Sequence, residues 1–202
     1  MEDFAMDISE ISKNIIETSS YLYEKGLVPG KAGNISIRSR SEGLDIVAVT
    51  PSGLSLKSLD ETDIVIVDMG GKLVSSSKHK PTSELLMHLN VYHERKDINA
   101  VVHTHSPITT GFAFAEEKIE RLEGFGPIEE PYIPFVNYYP PGSVELADAV
   151  SEGLKNEDLV VLKSHGVVAL GENLEDATIL AEFVEASAKI QVVKKILMTN
   201  RF

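Results

Sequence analysis

The sequence predicts an α/β protein built on a mainly antiparallel sheet covered by helices. Three observations carry this. Short alternating or apolar runs of strand type are interspersed with longer runs at helical spacing. Several neighbouring strands are joined by connections too short for a parallel crossover. No GxGxxG or GxxxxGK[ST] stretch is present, so nothing marks the sheet as a nucleotide-binding one.

The elements follow in order. Ile8, Ile11, Ile15, Ser19 and Leu22 recur at helical spacing, which predicts an amphipathic helix over about 7–25 with Gly26 at its C-terminal end. The loop Gly30-Lys31-Ala32-Gly33-Asn34 leads into a half-buried strand at 35–38. A second strand spans 45–49 and ends in the turn Thr50-Pro51-Ser52-Gly53. Residues 64–68, Met69-Gly70-Gly71-Lys72 and 73–74 read as a hairpin. Pro81-Thr82-Ser83-Glu84 opens a helix to about Arg95. Residues 98–105 form a strand, and a helix follows over 107–115. Residues 118–142 hold five prolines and three glycines, so they read as loop with one strand near 133–137. Ser143 caps a helix to about Lys155. Strands at 159–163 and 167–170 flank Ser164-His165-Gly166, and a long helix closes the chain from Leu174 to about Thr199.

Composition narrows function. The chain has 202 residues, 43% of them apolar and 25% charged, as in a soluble globular domain with a sizeable core. A net charge of −12 argues against generic binding to nucleic acid or anionic membrane. An anionic substrate must therefore be attracted by local features. With no cysteine, disulfide scaffolds, thiolate metal sites and cysteine nucleophiles are excluded, and a reducing cytoplasmic setting fits. The acidic start MEDFAMDISE does not read as a signal peptide, and no apolar run reaches the ~18 residues of a membrane span.

The informative run is Ala100-Val101-Val102-His103-Thr104-His105. Residues i and i+2 of a strand share a face, so His103 and His105 can share one ion. His165, between two apolar strands and followed by Gly166, is a third candidate. Three imidazoles with an open position are the donor pattern of catalytic zinc. Taken alone, a His-X-His pair is as readily a hydrogen-bonded surface feature. The other histidines read as structural: His79 in a Lys-rich loop, His88 hydrogen-bonded and partly buried on a helix, His93 at a helix end. Gly33-Asn34, Ser52-Gly53 and Thr82-Ser83 combine small and hydroxylic residues in tight loops or at a helix start. Such segments can offer backbone N–H groups to phosphate, or be ordinary turns and a cap.

Together the stretches Gly30-Lys31-Ala32-Gly33-Asn34-Ile35-Ser36, Thr50-Pro51-Ser52-Gly53, Lys80-Pro81-Thr82-Ser83-Glu84, Ala100 to His105 and His165-Gly166-Val167 resemble the class II aldolases, in that family's order and at similar separations. The superfamily is that of L-fuculose-1-phosphate aldolase and L-ribulose-5-phosphate 4-epimerase. The resemblance covers roughly residues 8 to 195. It implies a single class II aldolase-like domain over 1–202, α/β, with three αβα layers and a mostly antiparallel central sheet. It implies a C4 homotetramer and one divalent metal ion per subunit, zinc foremost, on His103, His105 and His165. Glu84 would complete the resting metal sphere and then act as base. Gly33, Asn34, Ser52, Gly53, Thr82 and Ser83 would bind the phosphate of a sugar-phosphate substrate.

The implied reaction is reversible cleavage of a ketose 1-phosphate, like L-fuculose 1-phosphate, to dihydroxyacetone phosphate and an aldehyde such as L-lactaldehyde. Aldolases of the superfamily carry Glu where the epimerases carry Asp, so Glu84 favours carbon–carbon cleavage. Sugar-phosphate 4-epimerisation and the methylthioribulose-1-phosphate dehydratase reaction, on the same metal site, stay alternatives, as does a non-catalytic adducin-head-like scaffold. The tyrosine that protonates the aldehyde oxygen in the fuculose enzymes has no clear counterpart. The matching region offers Phe125, and Tyr139 beside Pro140-Pro141-Gly142 is the nearest candidate. The sequence stops at Phe202 without the family's extended C-terminal tail.

Overall fold

The computed structural model describes residues 7–41, 43–74, 76–122 and 130–199. Helix α1 (Ile8–Glu24) starts where the Asp7 carboxylate accepts from the Ser9 N–H, and it buries Ile11, Ile15 and Leu22. Strands β1 (Asn34–Ser41) and β2 (Leu44–Val49) form a hairpin, and β3 (Val65–Asp68) adds to the far side of β2. The second arm of the hairpin expected at 73–74 is reduced to one bridge between Val67 and Leu73. Helix α2 (Leu85–Glu94) precedes β4 (Ala100–Thr104), and α3 (Pro107–Ala115) follows it. The two-residue β5 (Phe135–Val136), α4 (Val144–Gly153), β6 (Leu159–Leu162), β7 (Gly166–Gly171) and α5 (Leu174–Thr199) complete the order.

The sheet runs β3-β2-β1-β4-β7-β6-β5. Its pairings are antiparallel except β5 with β6, so it is mixed and mainly antiparallel. The exception has a cause: α4 lies between β5 and β6 and supplies the long crossover a parallel pair requires. Helices cover both faces, giving three layers. One apolar cluster joins Ile11, Ile15 and Leu22 of α1 and Ala177, Ala181 and Val184 of α5 to Ala100 and Val102 of β4. A second joins Met87, Val91 and Tyr92 of α2 and Leu146 and Val150 of α4 to Val101 of β4. Every residue of β4 is buried, as befits a strand covered on both faces.

Two details at the end of β4 depart from expectation. The strand stops at Thr104, because the His105 N–H donates to Leu27 O rather than to the ladder. Helix α2 begins at Leu85, not at Pro81. Residues 82–84 instead form a turn in which Thr82 Oγ1 accepts from the Glu84 N–H, and the Glu84 side chain makes no capping bond. Helix α3 is held from a distance. Its N-cap, Ser106, makes no side-chain cap, and the buried Glu185 carboxylate of α5 accepts from the N–H groups of Ile108 and Thr109 and from the Thr109 hydroxyl. A carboxylate there also suits the positive end of the helix dipole.

Candidate functional site

The strand order brings four loops to one end of the sheet. The entry to β1 supplies Gly33 and Asn34, the exit of β2 supplies Ser52, the exit of β4 supplies His105, and the β6–β7 turn supplies His165. They open onto a cavity of ≈ 450 Å³, to which Thr82, Ser83 and Glu84 also contribute. Two glycines permit the packing. Gly33 lies at φ 82°, and a Cβ there would fall 2.8 Å from the His103 carbonyl oxygen. At Gly166 a Cβ would collide with the Thr104 carbonyl and sit 3.2 Å from His103 Cε1. A side chain at either position would displace the segment bearing His103.

The three sequence-predicted imidazoles meet. Ring centroids of His103, His105 and His165 lie 4.8–4.9 Å apart pairwise, and candidate ligand atoms of all three lie within 4.8 Å of one another. His103 Nε2 is 3.1 Å from His105 Nε2. Two nitrogens bound tetrahedrally to zinc at ~2.0–2.1 Å would be roughly 3.3 Å apart. Glu84 joins them: one carboxylate oxygen is 3.2 Å from His103 Nε2, the other 3.4 Å from His165 Nε2. The His103 Nδ1–H donates to Val167 O at 2.8 Å, which turns Nε2 into the cluster. Glu84 Oε1 is buried and lacks a hydrogen-bond partner. Imidazoles plus one carboxylate form a donor set that suits zinc and several other divalent metals, and these residues fit such an ion.

The electrostatics agree. Burial alone would push the Glu84 carboxyl up, yet His103, His165 and the Asn34 amide hold it well below the usual carboxylate range. Burial opposes charge on His103, but the facing Glu84 more than reverses this and raises it. Burial, with His103 adjacent, pushes His105 down to about 3 and His165 down to about 4. Burial thus favours the neutral imidazole at His105 and His165, whose ring lone pairs are then available to a cation, while Glu84 opposes that tendency at His103.

Behind Glu84 lies a chain of polar groups the sequence did not reveal. Asn34 Nδ2 donates to Glu84 Oε2 at 2.9 Å, and Asn34 Oδ1 accepts from His88 Nε2 at 2.5 Å. His88 is fully buried, not partly, and burial pushes it down to about 3, so it is neutral. Its Nδ1 therefore accepts from the Ser36 hydroxyl at 2.7 Å, and Ser36 also meets the Tyr92 hydroxyl. Both ends of the Asn34 amide are engaged. The outlying histidines serve elsewhere: His79 faces Asp63 at 2.9 Å and His93 bonds Met69 O at 2.9 Å.

The loops read as anion cradles all border the cavity, but two of their amides are occupied. Ser52 N–H donates to Lys80 O and Thr82 N–H to Thr50 O, which ties the two loops together. Ser52, Gly53 and Ser83 are exposed. Lys31, part of the Gly30–Asn34 loop but given no role from the sequence, adds a basic side chain to the lining, to which Thr110, Phe114, Pro141 and Ser164 also contribute. Ser164 holds φ 54°, a costly conformation for a side-chain-bearing residue. Tyr139 is half-buried against the α2–α4 cluster and is not among the cavity residues, whereas its neighbour Pro141 is. Phe125 lies outside the described residues.

Residues 13–192 match the family described as Class II Aldolase and Adducin N-terminal domain. The chain is 39% identical over 188 residues to an L-fuculose phosphate aldolase of Methanococcus maripaludis, covering 93% of this chain and 97% of that one. It is 36% identical over 178 residues to a 5-deoxy-D-ribulose 1-phosphate aldolase of Bacillus thuringiensis, covering 88% and 82%. Among solved structures it resembles an L-fuculose 1-phosphate aldolase with a TM-score of 0.83 and 30% identity, over 98% of this chain and 91% of that chain.

Proposed function

The chain belongs to the class II aldolase and adducin N-terminal domain family, and from that premise we propose that it is a metal-dependent aldolase acting on a ketose 1-phosphate. The products are dihydroxyacetone phosphate and a short aldehyde, and the reaction is reversible. The observation that carries this reading is the Glu84 carboxylate, wedged between His103 and His165 with one buried oxygen that makes no hydrogen bond, on the lining of an open cavity. A scaffold that only binds protein has no use for such an arrangement.

His103, His105 and His165 would hold the ion, zinc foremost, with Glu84 completing its resting sphere. When bound, a divalent ion supplies Lewis-acid polarisation of a substrate carbonyl. The protein's own groups do the rest. Glu84 takes a proton from the carbon beside the carbonyl; Asn34 and, behind it, His88 hold the carboxylate at the height of the histidines. Gly33, Asn34, Ser52, Gly53, Thr82 and Ser83 line the flank that takes the phosphate, with Lys31 bringing a positive charge to it in a chain of net charge −12. Tyr139, offered by the sequence as the acid for the aldehyde oxygen, packs against the α2–α4 cluster rather than on the cavity lining and is not assigned that step. Sedimentation of the purified protein tests the tetramer implied by the family.

Glu84→Gln tests the central role. The variant retains about one metal ion per chain, while exchange of the dihydroxyacetone phosphate C–H proton with solvent is lost. Normal exchange in that variant would remove Glu84 as base. A panel of phosphorylated ketoses, scored for triose phosphate, separates cleavage from epimerisation and dehydration at the same site.

A further inference from the structure

We propose that the turn Pro140-Pro141-Gly142-Ser143 is a positioning clamp for Glu84: it bears on the peptide between Ser83 and Glu84 and holds the carboxylate in register with the histidines. The inference rests on the aldolase reading and deepens it by naming what sets the base in place.

The turn follows from its residues. The Ser143 N–H donates to Pro140 O at 3.1 Å, and Gly142 lies at φ 77°. Proline at the second position and a left-handed glycine at the third suit a type II turn. Both ends of it are held. Before it, Tyr139 packs against the apolar cluster of α2 and α4. After it, Ser143 caps α4, its hydroxyl accepting from the Leu146 N–H at 3.1 Å. A turn fixed at both ends yields little to whatever it touches.

What it touches is main chain. A Cβ at Gly142 would fall 2.8 Å from the Ser83 carbonyl oxygen and 3.9 Å from Ser83 Cβ. That carbonyl shares one planar peptide unit with the Glu84 N–H. At the N–H end of the plane, Glu84 donates to Thr82 Oγ1 at 3.3 Å. Thr82 is tied in turn, its N–H donating to Thr50 O at 3.1 Å. The Ser83–Glu84 peptide is therefore held by Gly142 at its carbonyl end and by Thr82 at its N–H end. From that plane the Glu84 side chain reaches His103 and His165 at 3.2 and 3.4 Å. A shift of the peptide is carried to the carboxylate, and a base misplaced by about 1 Å can lose about 10²-fold in rate.

Gly142→Ala tests the clamp by adding one methyl group against the Ser83 carbonyl. In the metal-loaded variant, kcat for exchange of the dihydroxyacetone phosphate C–H proton with solvent falls by about 10–100-fold, and KM rises less. The rise in melting temperature on adding zinc is kept, because the three histidines are untouched. Gly43→Ala, between β1 and β2, is the control. Gly43 lies at φ 82° with nothing within 4 Å of a Cβ there, so it carries the same backbone strain without the contact. It lowers the melting temperature comparably and leaves kcat as in the wild type. Pro141→Gly loosens the turn without crowding Ser83 and lowers kcat in the same direction, which keeps the test available should Gly142→Ala fold poorly. Wild-type kcat in Gly142→Ala or in Pro141→Gly, or an equal fall in Gly43→Ala, overturns the clamp. A loss confined to KM also overturns it, since the turn would then serve Ser83 and not the base. In each of these cases a wild type that exchanges leaves the aldolase reading standing; no exchange by the wild type sinks Glu84 as base and the clamp with it.

Discussion

His88 and His103 are both fully buried and both connect to Glu84, but their ring nitrogens meet different things. Each nitrogen of His88 has one partner, Asn34 on one side and the Ser36 hydroxyl on the other, and the chain of bonds ends on Tyr92. His103 is anchored on one side only, by Val167, and its other nitrogen enters a space shared with two more imidazoles and a carboxylate. A closed polar network stiffens what it touches, since every donor finds an acceptor. An open one is costly to fold around unless something enters it. The same residue type thus sits in a closed network at 88 and in an open cluster of donor atoms at 103, and the difference lies in the partners.

The largest expected effect concerns the open cluster. His103→Ala, or chelation of the wild type, lowers aldol cleavage by about 10³-fold or more. A divalent metal at about 100 times its dissociation constant stabilises the wild type by about 2.7 kcal/mol and leaves His103→Ala unmoved. Thermal melts with and without metal read this, and a wild type indifferent to zinc, manganese and cobalt alike would break the contrast. Second comes the closed network. His88→Leu leaves the Asn34 carbonyl buried without a partner and leaves the Ser36 hydroxyl only Tyr92, at a cost of about 1–3 kcal/mol in urea unfolding. Metal stoichiometry stays near one. Lost metal with unchanged stability would show that His88 belongs to the open cluster after all.

A third, smaller effect sharpens the comparison through pH. The folded protein holds His88 at about 3, below its ordinary 6.5. Between those values the unfolded chain binds a proton there that the folded chain does not. Stability is therefore complete above about 6.5 and declines as pH falls toward 3, with a slope of at most about 1.4 kcal/mol per pH unit from this group. His105 and His165 add to the decline in metal-free protein, so the decisive quantity is the difference. The metal-free His88→Leu variant shows a shallower slope than the metal-free wild type, and equal slopes would deny His88 its neutral, closed state.

Much of this was legible in the sequence, for identifiable reasons. Apolar spacing located α1, and start and cap signals such as Pro81-Thr82-Ser83-Glu84 and Ser143 located α2 and α4 to within a few residues. Strand alternation placed His103 and His105 on one face. What escaped depends on contacts between segments far apart in the chain. Nothing local to Asn34 announces His88, 54 positions away, as the partner of its amide. The loops at Ser52 and Thr82 looked like two independent anion cradles, yet each lends an amide to the other's carbonyl neighbourhood.

Glu185 carries a consequence in time as well as in space. It binds the first turn of α3 from 76 and 77 positions further along the chain. A nascent chain leaving the ribosome displays His103, His105 and then His165 before the carboxylate that settles α3 has emerged. The anchor of α3 is therefore synthesised after every imidazole of the cluster, so the order of residues along the chain makes the settled site a late event.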